Sequence, residues 1–150
     1  MKILAYKGKS VVSHLIKFQT RSQYSHIGIQ LNDGSVIEAW QGEGVRRIGN
    51  PFVGHSKGTE VDVFKIIGDY DDSKVEAYLY DQIGKKYDYV NVLRFVWRRN
   101  AADNEKVFCS ELAEMAFIQG GLRLLNGNPS VHSPRDTVMS PHLIYEKTLS

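Results

Sequence analysis

The chain has 150 residues, 42% of them hydrophobic and 24% charged, the size and makeup of one globular domain spanning 1–150 with enough apolar residues for a substantial core. Nineteen basic against seventeen acidic residues leave a formal charge of +2 and no basic stripe interleaved with aromatics, which argues against a nucleic-acid partner. The apolar run Ile3-Leu4-Ala5 is too short for a signal-peptide core, and no stretch approaches the roughly 18 apolar residues of a transmembrane helix, so a soluble, cytoplasmic protein is expected.

In chain order, Ile3-Leu4-Ala5-Tyr6 reads as a short strand, followed by a helix capped by Ser10 and running to about Phe18 with Val11, Val12, Leu15 and Ile16 on its apolar face. Ser25 to Leu31 and Ser35 to Trp40 are β-rich runs around Asn32-Asp33-Gly34, a hairpin signal. After a loop from Gly49 to Gly58, Glu60 to Ile66 alternates polar and apolar residues as a half-buried strand does. Asp71-Asp72-Ser73 supplies the cap of a helix starting near Lys74, with Val75, Tyr78, Leu79 and Ile83 at helical spacing and Gly84 as its stop. Tyr87 to Arg98 reads as a further helix or an ordered loop. Asn104 to Val107 leads into a run of helix formers from Cys109 to Ile118, ended by Gly120-Gly121, which predicts Cys109 at a helix N-terminus. Ser133-Pro134 and Ser140-Pro141 each place a capping side chain before a proline and predict two short helical turns.

Cys109 is the one cysteine, so an intrachain disulfide and a cysteine-based metal site are both excluded, and the sulfur is either a packing group or a reactive thiol. A helix N-terminus favours the thiolate, and a neighbouring imidazolium favours it further. Among five histidines, His26 is the best placed partner, because it opens a strand whose hairpin mate carries Glu38, a carboxylate able to orient the ring and stabilise its cation. Strand parity tests this pairing. A two-residue Asp33-Gly34 loop sets Gln41 opposite His26 and puts Glu38 on the other face. A three-residue loop with Gly34 left-handed pairs Glu38 with Gly28, diagonal to His26, and this is the expected geometry.

The strings Tyr24-Ser25-His26-Ile27-Gly28-Ile29, Gly34-Ser35-Val36-Ile37-Glu38-Ala39 and Phe108-Cys109-Ser110-Glu111-Leu112, in this order, resemble the permuted NlpC-like cysteine hydrolases, specifically the YiiX-like branch. The related lecithin:retinol acyltransferase-like enzymes have a second histidine where this chain has Glu38. The resemblance implies an α+β, circularly permuted papain-like fold, an antiparallel sheet with the cysteine-bearing helix packed against it. It implies Cys109 as nucleophile, His26 as base and Glu38 as third member, acting on peptide or cell-wall amides through an acyl-enzyme. Acyl transfer, lipid thioester hydrolysis and a noncatalytic binding domain are the alternatives, and the partner is a small peptide, amide or lipid-like substrate.

The backbone N–H of Cys109 is the first candidate oxyanion donor and the Tyr24 hydroxyl the second. His14 and His55 read as surface or helix-face residues, His132 and His142 as loop residues, and Arg46-Arg47 and Arg98-Arg99 as solvated charges, with the binding of an anionic substrate group by one doublet as the alternative. Gly8-Lys9-Ser10 lacks the glycine that a phosphate-binding loop needs five residues earlier, where Ile3 stands. His55, Asp62 and Asp69 show no metal-ligand spacing, and neither a metal nor another cofactor is expected.

Overall fold

The register of the central hairpin is decided at its turn. In a computed structural model, which describes residues 1–9, 13, 14, 17, 21–40, 42–85 and 104–150 (backbone alone at 104–108 and 131), Gly34 takes φ +88°, a left-handed conformation that costs glycine nothing. Its N–H donates to the Leu31 carbonyl at 3.1 Å, and the Leu31 N–H donates to Ser35 at 2.8 Å. The Asp33 carboxylate closes the turn by accepting the N–H and hydroxyl of Ser35 at 2.9 and 2.6 Å. The expected three-residue loop therefore forms, and Gly28 stands opposite Glu38.

Around this hairpin, six strands make one sheet: β1 (Lys2–Lys7), β2 (His26–Gln30), β3 (Val36–Trp40), β4 (Gly44–Ile48), β5 (Glu60–Ile66) and β6 (Leu143–Leu149). Their spatial order is β4-β3-β2-β1-β5-β6, and every neighbouring pair is antiparallel. Among the described residues, the helices with defined bounds are α1 (Asp72–Gln82), α2 (Asn104–Gln119) and the short α3 (Pro134–Val138), with a 3-10 turn at Pro129–Val131. The architecture is thus α+β with a helix-bearing antiparallel sheet. No helix of the described residues is long and apolar enough to cross a membrane.

Alternation along the strands gives the sheet two different faces. Ile3, Ala5, Ile27, Ile29, Ile37, Ala39 and Val45 join Leu112, Ala113, Ala116 and Phe117 of α2 in the larger core. Each fully buried isoleucine there contributes about 1.5–3 kcal/mol. The opposite face carries a smaller cluster of Leu4, Tyr6, Val36, Ile48, Val61 and Val63, together with the polar residues His26, Glu38 and Arg46, which the strand register places beside one another.

Several elements depart from the sequence reading. β4 and β6 were not anticipated: the adjacent Arg46-Arg47 hides the alternation of β4, and the Ser140-Pro141 signal suggested a helical turn before β6. There, the Ser140 hydroxyl instead donates to the Leu124 carbonyl at 2.6 Å and accepts the His142 N–H at 3.1 Å, turning the chain into β6. Ser133 does cap α3, in a reciprocal capping box with Asp136. α1 starts at its Asp71 cap and stops before Gly84, as expected. The first predicted helix is described only at Ser13, His14 and Lys17, which are helical, and the segment 87–98 lies outside the described residues.

Candidate active site

Glu38 is wholly buried in the middle of the sheet, where an uncompensated carboxylate would cost several kcal/mol. Its neighbours supply the compensation atom by atom. Arg46, opposite it on β4, donates to Oε1 from Nε at 3.0 Å and from Nη2 at 2.8 Å. On the other side, Oε2 lies 2.8 Å from Nε2 of His26 and 3.4 Å from Nε2 of His55. Burial pushes the Glu38 carboxyl up, but the hydrogen bonds from His26, His55 and Arg46 and the charge of His26 outweigh it and hold the group far below the ordinary carboxylate range. The Arg46 guanidinium is itself held over the Trp40 ring at 3.9 Å.

His26 is the first residue of β2, so its ring stands at the end of the strand, within reach of both Glu38 on its own face and the helix on the other. Nε2 faces Glu38, and the Cys109 thiol is the second hydrogen-bond partner of the ring. Burial opposes a charge on this imidazole, yet the hydrogen bonds to Cys109 and Glu38 and the charges on both raise its pKa to about 10. Cys109 shows the reciprocal effect. The residue is 2% exposed, and burial pushes the thiol up, but His26, the backbone N–H of Ile27 and the Ser110 hydroxyl lower it to a net downward shift. The arrangement therefore favours a thiolate–imidazolium pair. Opposite charges thus alternate from Arg46 through Glu38 and His26 to Cys109.

The ring of Tyr6 packs against this group, stacked on His55 at 4.1 Å and 5.2 Å from His26. Gly28 makes room for it, since a Cβ there would lie 3.0 Å from Val36 and 3.3 Å from the Tyr6 ring. Trp40 stands edge-on to both His26 and His55, at 5.7 and 4.8 Å. The imidazole of His26 is thus walled by aromatic rings that fix its plane.

The structure brings Cys109, His26 and Glu38 together, and it corrects four expectations around them. First, α2 begins at Asn104, so Cys109 lies five residues inside the helix. Asn104-Glu105 is itself acceptable first-turn sequence, and the helix extends back to it. The N–H of Cys109 thus belongs to the helical ladder and is not among the four free donors at the helix start, which removes it as an oxyanion donor and removes the helix terminus as the thiol's activator. Second, the Tyr24 hydroxyl donates to Asp62 at 2.7 Å, within a buried group in which Asp62 also receives Thr148 at 2.6 Å and Lys7 at 2.9 Å. With its one O–H spent there, Tyr24 is not the oxyanion donor.

Third, Arg46 and His55 are site residues and not surface groups; only Arg47 of the arginine pair is exposed, paired with Asp33. Arg46 becomes legible once β4 is recognised, because strand pairing sets it opposite Glu38. His55 sits in an irregular loop, and no periodic signal points to it. Fourth, His132 is packed against Glu114, with Nδ1 3.5 Å from Oε1. His14 is exposed, and His142 faces the Ile67 carbonyl at 3.2 Å, as surface and loop residues do.

At the level of sequence, no family model and no curated protein matches the chain. Among solved structures, it is similar to the metalloprotein yiiX from Escherichia coli O157:H7, with 20% identity over 97% of this chain and 94% of that one and a TM-score of 0.70. The chain shares the fold of that protein over nearly its whole length.

Proposed function

We propose that the chain is a cysteine hydrolase of the permuted papain-like type, with Cys109 as nucleophile, His26 as acid and base, and Glu38 as the group that orients His26. The observation that carries this reading is the double partnership of His26, hydrogen-bonded to the Cys109 thiol and, at 2.8 Å, to the Glu38 carboxylate. In the first half-reaction the thiolate attacks a carbonyl carbon, the C–S bond forms, and the imidazolium gives its proton to the departing amine or alcohol as the C–N or C–O bond breaks. In the second, His26 takes a proton from water as its oxygen attacks the thioester carbon, the C–S bond breaks, and the carboxylic acid leaves with the thiolate and imidazolium restored. Amides of peptide or cell-wall type are the substrate class that the sequence resemblance implies; an acyl acceptor other than water would make the same site a transferase. Intact-mass detection of an acyl group on Cys109, after mixing with activated esters and peptide amides, tests the reading. An adduct that forms in wild type and not in His26→Ala supports it, and no adduct with any acyl donor argues against it.

A second reading has its own observation. His26, Glu38 and His55 each offer one ligand atom, all within 4.8 Å of one another, and the similar solved structure is described as a metalloprotein. Two imidazoles and a carboxylate suit a borderline divalent cation such as zinc, which when bound would act as a Lewis acid. Charge speaks against the fit: Arg46 already holds Oε1 of the same carboxylate through two N–H groups. Nε2 of His26 would also have to lose its proton, so binding would tighten as pH rises. Equilibrium dialysis against zinc separates the two readings. The thiol reading predicts no stoichiometric retention; one equivalent held by wild type and lost in His55→Ala favours the metal.

A further inference from the structure

Behind Cys109 the same helix carries a second polar centre. Ser110 and Glu114, one turn apart on α2, are completely buried, and neither carboxylate oxygen of Glu114 has a well-formed hydrogen bond. Facing them from the turn after Pro129–Val131 is His132, with a side chain only 12% exposed and an Nδ1, 3.5 Å from Glu114 Oε1, that also lacks a hydrogen bond. Two titratable groups thus meet in a nearly fully buried place.

A bare carboxylate in such surroundings costs several kcal/mol, whereas a carboxylic acid facing an imidazole nitrogen, or an imidazolium facing a carboxylate, is tolerated. A protonated Glu114 facing the His132 nitrogen leaves no bare carboxylate in the interface. The groups acting on Glu114 come from the chain that folds back over α2: His132, Arg123 and the backbone N–H of Leu125, all of which favour the ionised form. Burial outweighs them and raises the carboxyl's affinity for its proton. His132 belongs to the segment that leads directly into the Ser133 cap of α3, so whatever holds it holds the entry to that helix.

We propose that Glu114 and His132 form a proton-operated latch, which fastens the segment 122–133 to the nucleophile's helix while one proton is held and loosens it when that proton is lost. Loss of the proton to solvent leaves a negative charge in the interface between α2 and this segment, and separation lets water reach it. The latch deepens the hydrolase reading, on which it rests only for its consequence: the seating of α2 sets the position of Cys109 against His26, so the thiol's environment is gated from behind. Glu114 and His132 are positioning residues, not catalytic ones.

The test uses the whole chain. Glu114→Gln keeps the shape of the side chain and removes its titration, so the variant is expected to unfold at a higher temperature than wild type near about pH 8 and at the same temperature near about pH 4. A variant no more stable than wild type at the higher pH, or offset equally at both, overturns the latch. Hydrogen exchange of the amides of 122–133 in the wild-type protein decides the matter independently of whether the variant folds. Corrected for intrinsic rates, protection is expected to fall by about tenfold per pH unit above the pair's titration, and flat protection overturns the proposal. Neither readout requires turnover, so an inert Cys109 would leave the latch standing and a failed latch would leave the hydrolase reading standing.

Discussion

Glu38 and Glu114 are both buried to 0% exposure, and their surroundings could hardly differ more. Glu38 has a donor for each oxygen and a guanidinium beside it; Glu114 has one imidazole at 3.5 Å and no well-formed hydrogen bond. The first is held ionised and the second is pushed toward its acid form. Burial alone therefore does not decide the state of a carboxyl; the count of donors within reach does. On this protein the difference separates a centre organised for charge from one organised around a proton.

Removing the nucleophile has the largest expected effect. Cys109→Ala should abolish acyl-enzyme formation, with turnover falling by about 10³-fold or more, measured on whichever activated ester acylates the wild type. Full activity in that variant would dissolve the contrast, because the ionised centre would then serve something other than the thiol.

Glu38→Ala comes next. It strips Arg46 of its main partner and should cost about 3 kcal/mol, the low end for a broken buried pair because Arg46 keeps 15% exposure and a contact with Glu43. Urea titration measures it, and a loss below about 1 kcal/mol would mean that Glu38 is not the anchor of the site.

The two carboxyls also predict opposite pH slopes. Glu38 has a folded-state pKa below its ordinary value of 4.5, so its stabilisation is present above that value and is lost as pH falls through the folded one. Glu114 has a folded-state pKa above 4.5, so its favourable contribution is complete below that value and is lost as pH rises through the folded one. Glu38→Ala should therefore flatten the acid limb of the stability profile, while Glu114→Gln should flatten the neutral-to-alkaline limb. Calorimetric melting across pH for both variants tests the pairing, and changes on the same limb would break it.

The smallest effect sharpens the boundary of the site. Tyr24→Phe removes one donor to Asp62 and should cost about 1 kcal/mol while leaving the alkylation rate of Cys109 unchanged. A slower thiol in that variant would return Tyr24 to the chemistry.

What the sequence made legible follows local rules. Asn32-Asp33-Gly34 fixed the loop length, the loop length fixed parity, and parity put His26 and Glu38 on one face. Glu60 to Ile66 and the capped helix from Asp71 were equally plain, because each rests on periodicity and a terminal signal. Arg46 and β6 depend on pairing with strands distant in the chain, and Arg46-Arg47 breaks the alternation that would have revealed β4. His55 and the meeting of His132 with Glu114 are products of tertiary packing, since loops carry no period from which a direction can be read. The helix start at Cys109 was misplaced because helix formers extend back to Asn104, and helix boundaries are the least determined feature of any such run.

The central claim is that His26 keeps Cys109 ionised. Alkylation of Cys109 followed against pH in wild type and His26→Ala tests it directly. The account predicts a wild-type thiol that titrates below its ordinary value of 9.0 and a variant whose titration moves upward by roughly one to several units. Identical profiles in the two proteins, both at or above the ordinary thiol value, would contradict it.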